Sequence, residues 1–199
     1  MANPPIHPYE AAPRVAPIST DQLRPEWKAT LDRIPGAGLK GSGFPGYVLG
    51  ELMRSPEIFG PFLEWWVTAK SAMALSKREQ ELVILRMGRL YSSDYVWKHH
   101  LLTAREFGAK PEEIAALLEG RFDDFLPRER ALLTLAEAMV CDRYVSSEIW
   151  EAHGGQLSPQ EMVDLMSLVS QYVLFALVNN VFQVPLEAPL RDAPGLAQA

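Results

Sequence analysis

Prolines and serines punctuate this chain where helices begin, and nearly every stretch they open carries the apolar period of a helix. Ser55-Pro56 supplies an N-cap followed by proline at the first helical position, where its missing N–H costs nothing. Pro111 and Pro127 open two further helices. Ser76 with Glu79, and Ser158 with Glu161, have the spacing of capping boxes, in which hydroxyl and carboxylate each satisfy a backbone N–H. Gly108, Gly120 and Gly154 stand where C-terminal caps belong. No run alternates with period two between turn signals. The pattern predicts an all-α fold of about eight helices, the first capped by Thr20 or Asp21 and running to about Arg33.

Proline also bounds the helical body. Pro4, Pro5, Pro8, Pro13 and Pro17 preclude a helix at the start, so residues 1–19 read as an extended arm. Residues 20–184 form one helical domain, and 185–199, with three prolines, read as a tail. Such arms gain order by lying across another surface, and a neighbouring subunit is the simplest one. A net charge of −6 without any basic run argues against nucleic acid as partner. No apolar stretch approaches a membrane span, the longest being Tyr172 to Val178, and the N-terminus lacks signal-peptide character. Cys141 is the only cysteine, which makes a reducing cytoplasm the expected location. The glycine-rich 36–46 stretch lacks phosphate-loop order and reads as a linker or an active-site lid.

The chemistry concentrates between Ser76 and Gly108. Glu81 to Gly88 is apolar nearly all round, as a buried helix would be, and Ser92-Ser93-Asp94 caps the helix that follows. In such a hairpin Glu81 can approach His100 and form an acid/base pair, with burial expected to raise the carboxyl pKa and the carboxylate to raise that of the imidazole. Glu81 can equally pair with Lys77 or Arg78 one turn back. His99 and His100 lie about 100° apart on a helix, so only one is expected to face a pocket. No metal site is expected, since no His-Glu-x-x-His spacing occurs, and His153 beside Gly154-Gly155 reads as a helix-end residue. Phe59, Phe62, Trp65 and Trp66 read as core or subunit contact. Lys77-Arg78-Glu79 with Trp97-x-x-His100 is echoed by Pro127-Arg128-Glu129 with Trp150-x-x-His153, a hint of duplication.

The alkylhydroperoxidase D motif is a glutamate, eleven residues, Cys-x-x-Cys, and a histidine four residues beyond. Glu81 and His100 match it, with Ser93 and Val96 in the cysteine positions. Tyr95-Val96-Trp97-Lys98-His99-His100, followed by Ala104, Gly108 and Glu112-Glu113-Ile114, is similar to the carboxymuconolactone decarboxylase branch of that superfamily. The resemblance, strongest over residues 76–118, implies an AhpD-like helical bundle assembled as a trimer or hexamer, with a dimer also compatible. It also implies a cofactor-independent decarboxylase, lyase or isomerase acting on a small lactone or aromatic-catabolism acid. His100 would then be the proton donor oriented by Glu81, with His99, Tyr95, Ser93, Trp97 and Arg86 binding substrate. Two alternatives are a peroxide-reducing antioxidant protein, disfavoured because neither Ser93 nor Val96 can cycle as a thiol, and a non-catalytic binding member.

Overall fold

The computed structural model describes residues 12–16, 18, 22–33 and 47–191. The helices are α1 (Pro25–Leu31), α2 (Tyr47–Leu52), α3 (Pro56–Ala72), α4 (Lys77–Leu90), α5 (Asp94–Glu106), α6 (Pro111–Glu119), α7 (Pro127–Cys141), α8 (Ser147–His153), α9 (Pro159–Phe182) and α10 (Ala188–Arg191). No strand occurs among the described residues. The glycine-rich stretch and the Thr20 and Asp21 caps lie outside them. Helix α1 starts later than those caps would place it, with Pro25 at its first position.

Local signals act where the sequence puts them. Ser76 accepts from the Glu79 N–H while the Glu79 carboxylate accepts from the Ser76 N–H, and Ser158 and Glu161 do the same. Gly120 ends α6 at φ 74°, in the left-handed region that a side chain would strain. Gly154 does not: it stays right-handed (φ −60°) and continues into a 3-10 turn, Gly154–Gln156.

Helix α4 is the centre of the body, packed against α5, α6, α7 and α9. Every residue from Gln80 to Gly88 is buried. Helix α5 crosses it closely at Gly88, where an added Cβ would lie 3.1 Å from the Trp97 backbone nitrogen.

The suspected duplication has a structural counterpart. Arg78 donates to Glu129 (2.7 Å) and Glu113 (2.7 Å) and to the Gly108 carbonyl. Arg128 donates to Glu79 (2.6 Å) and Glu161 (2.6 Å) and to the Gln156 carbonyl. Each arginine thus takes a glutamate from the start of the opposite repeat, a glutamate from the first turn of its own third helix, and a carbonyl just before that helix. The units α4-α5-α6 and α7-α8-α9 are joined by this reciprocal clamp.

Several expectations are corrected here. Helix α9 has a mean hydropathy of 1.5 over an 18-residue window and is long and apolar enough to cross a membrane by length and composition. Half of that window is buried inside the body, as in a core helix. The described part of the N-terminal arm makes contacts with its own chain: the Arg14 N–H donates to Phe182 O (2.8 Å) and the Ile18 N–H to Gly50 O (3.1 Å). Packing also continues past residue 184, because Val184, Leu186 and Glu187 are buried. Phe59, Phe62 and Trp66 belong to the internal core, which leaves Trp65 the exposed member of that group.

The clamp yields a stability prediction. Arg78→Ala leaves Glu129 buried without its guanidinium and should cost about 3 kcal/mol, whereas the more exposed Arg128 should cost about 1 kcal/mol when truncated. Urea unfolding measures both. Equal losses below about 0.5 kcal/mol would show that the clamp carries no stability.

Candidate active site

Glu81 points from the buried helix α4 toward α5, and the two helices bring it to His100. His100 Nδ1 and Glu81 Oε2 are 2.7 Å apart, and both side chains are largely shielded. The alternative partners are engaged elsewhere: Lys77 donates to Gln80 and the Lys70 carbonyl, and Arg78 serves the clamp. Tyr172 of α9 sets its ring edge-on to the imidazole, 5.0 Å between centroids. Phe175 stands against both Tyr172 and Trp66, at 5.6 Å from each. Lys70, at the end of α3, places its Nζ 5.8 Å over the Trp66 ring.

Electrostatics set the resting state of the pair, in directions opposite to the expected ones. Burial pushes the Glu81 carboxyl upward, but His100 at hydrogen-bond distance and the charges of Lys70 and Lys77 bring it below its ordinary range. Burial also pushes the His100 imidazole down, and Glu81 does not offset this, since Lys70 acts with the burial. Glu81 is therefore ionised beside a neutral imidazole. A carboxylate only accepts, so the Nδ1–H of His100 donates to it and Nε2 carries the lone pair. Nothing among the described residues hydrogen-bonds that Nε2. Burial, reinforced by the charge of Glu81, raises the Tyr172 hydroxyl well above its usual value, so it remains a neutral phenol.

The other expected residues are placed variously. His99 does not idle on the solvent face; its Nε2 is 2.7 Å from Glu187, which also accepts from the Tyr95 hydroxyl (2.7 Å). Tyr95 and His99 stack at 4.2 Å. Ser93 caps α5 by accepting from the Val96 N–H. Trp97 is buried in the α4–α5 crossing. Arg86 faces the other way, donating to Glu137 (2.8 Å) and the Leu117 carbonyl (2.8 Å), so it is not brought into the cluster. Cys141 ends α7, its thiol pushed up by burial and by Glu137.

Lys70, Tyr172 and Glu187 escaped the sequence reading, because each comes from an element far along the chain with no motif of its own. Glu187 arrives through a turn at Gln183, a non-glycine residue at φ 56°. Among the described residues no three His, Cys, Asp or Glu side chains converge as a metal site.

The pKa directions set a pH test. A depressed imidazole means that the unfolded chain takes up its proton first as pH falls below about 6.5. Wild type should therefore lose stability relative to His100→Gln between pH 7.5 and pH 5, as thermal melts would show. An advantage of wild type that grows in acid would mean that Glu81 raises the imidazole instead.

Comparison with known proteins follows the same lines. Residues 60–138, spanning most of α3 through α7, match the carboxymuconolactone decarboxylase family. No curated protein matches the sequence significantly. Among solved structures, the debrominase Bmp8 in complex with 2,3,4-tribromopyrrole aligns with a TM-score of 0.72 at 14% identity, over 89% of this chain and 93% of its own. A peroxidase-related protein with an alkylhydroperoxidase AhpD core from Ralstonia eutropha aligns at 0.72 and 19%, over 92% and 95%. An Agrobacterium tumefaciens protein of unknown function, assigned to AhpD antioxidant defence, aligns at 0.61 and 18%, over 68% and 94%. The segment that matches the carboxymuconolactone decarboxylase family contains both Glu81 and His100, and the chain shares the all-helical AhpD-like fold of these structures.

Proposed function

We propose that the protein is a cofactor-independent acid/base enzyme, a decarboxylase, lyase or isomerase acting on a small lactone or aromatic-catabolism acid. One observation carries this reading: His100 Nδ1 lies 2.7 Å from the buried Glu81 carboxylate, which calls for the tautomer with its lone pair on Nε2, and the ring stands edge-on to Tyr172. A neutral imidazole held in that tautomer takes a proton from substrate carbon or oxygen, and the imidazolium so formed is stabilised by Glu81. The same nitrogen then returns the proton to the enolate-like carbon. His100 is thus base first and donor second, which modifies the purely donating role that the sequence implies. A thiol relay finds no support, as Ser93 serves as a helix cap and Cys141 terminates another helix.

Turnover should be sought on carboxylated lactones and unsaturated ring acids in D2O, with NMR following deuterium entry at carbon. His100→Ala and Glu81→Gln should each lower kcat about 10²–10⁴-fold. The kcat/KM profile should rise with pH through a value below the ordinary imidazole range and then level off. Variants that keep full rate, or a profile that falls through neutrality, would sink the assignment.

We also propose self-association, through α9 rather than through the α3 aromatics. Val163, Met166, Leu177 and Val181 are exposed on one stripe of that 24-residue helix. The helix is about 36 Å long and carries no charged side chain beyond Asp164. An uncharged stripe can pair with its own copy without like-charge repulsion, and Met166 continues into a groove of about 630 Å³ formed with Met139, Tyr144 and Val145. Light scattering at micromolar concentration should give a multiple of 22.3 kDa, and Leu177→Glu should reduce it. A wild-type monomer would remove the idea.

A further inference from the structure

Lys70 is the charged residue at this site that the acid/base pair leaves unused. Two other lysines meet carboxylates, Lys28 with Asp32 at 2.7 Å and Lys98 with Asp94 at 2.8 Å. Lys70 does not. No side chain or carbonyl among the described residues accepts a hydrogen bond from its Nζ, which rests over the Trp66 ring. The nearby carboxylate, Glu81, is already committed to His100.

Charge counting shows what this leaves open. Lys70 and Lys77 both act on Glu81, so two cations face one carboxylate and a neutral imidazole. One positive charge remains unmatched. Burial draws the Lys70 amine downward, opposed by Glu81, and an arriving anion would favour its protonated form further. The surroundings are flat and apolar: Trp66 and Phe62 of α3 pack edge to face with Phe175 of α9, at 5.6 and 5.5 Å, and Phe175 leads on to Tyr172 and His100.

We propose that Lys70 determines substrate specificity at this site by holding the carboxylate of a small planar acid against the α3–α9 aromatic wall, within reach of His100. The ammonium supplies three donors to the acid's two oxygens, and the ring or conjugated carbon skeleton lies along the aromatic faces. A desolvated charge-assisted contact of this kind separates an acid from its neutral amide far more strongly than shape alone. The proposal deepens the acid/base reading, but the binding step stands without it.

Benzoate, 2-furoate and pyrrole-2-carboxylate, each beside its primary amide, serve as probes in calorimetry and NMR shift titrations of the full-length protein. The acids should bind at least tenfold tighter than the amides, a contrast worth about 1.4 kcal/mol. Lys70→Met should erase that contrast, and Lys70→Arg should restore a substantial part of it, with melts showing that both variants fold. His100→Gln should still bind the acids. Acid binding that survives Lys70→Met, amides that bind as well as acids, or wild type that binds none of the probes would overturn the proposal. Binding that depends on Lys70 without any proton exchange in D2O would support it while defeating the acid/base reading.

Discussion

A helix enclosed on every side can carry a charged group only where something meets it, and α4 is such a helix. Gln80 through Gly88 are all buried, and Glu81 and Arg86 lie among them. Arg86 is met by Glu137 and a carbonyl, Glu81 by His100. An ionised carboxylate in that position without a partner would cost several kcal/mol, by the general penalty for buried charge, roughly 3–5 kcal/mol. The α4–α5 hairpin is therefore held in one register by two demands at once. Gly88 lets the backbones approach, and the carboxylate needs the imidazole.

The reciprocal arginine clamp explains why the site occurs once in a molecule with repeated parts. Arg78 and Arg128 occupy matching positions, and their glutamate and carbonyl partners match as well. Counting from those arginines, the residue equivalent to Glu81 is Ala131, fully buried at 0% exposure. His153 in the second unit thus has no corresponding carboxylate. The scaffold is doubled while the chemistry is single, and helix α9 of the second unit supplies Tyr172 to the pair in the first. The second unit, with Ala131 where the first has Glu81, forms a wall of the site through Tyr172.

Much of the fold was legible because its signals are local. The capping boxes at Ser76 and Ser158, the prolines at the first helical positions and the left-handed Gly120 each work within one turn of chain. Glu81 and His100 were legible through their spacing. What eluded the sequence depends on the packing of distant elements: Lys70 comes from α3, Tyr172 from α9, and Glu187 from a segment read as a tail. The direction of the pKa shifts was hidden for the same reason. Attraction between neighbours can be read from spacing, but the burial that outweighs it for His100 follows only from the whole body. Arg86 was misread because its helix offers several buried faces, and periodicity does not say which one meets Glu137.

Nitrogen-15 NMR of the protein labelled at the histidine ring nitrogens tests the central claim most directly, since it reads the protonation of each nitrogen separately. At neutral pH His100 should show a protonated Nδ1 and an unprotonated Nε2, and Glu81→Gln should disturb that tautomer. Two protonated nitrogens at neutral pH would contradict the account, because no lone pair would then be available to take a proton from substrate.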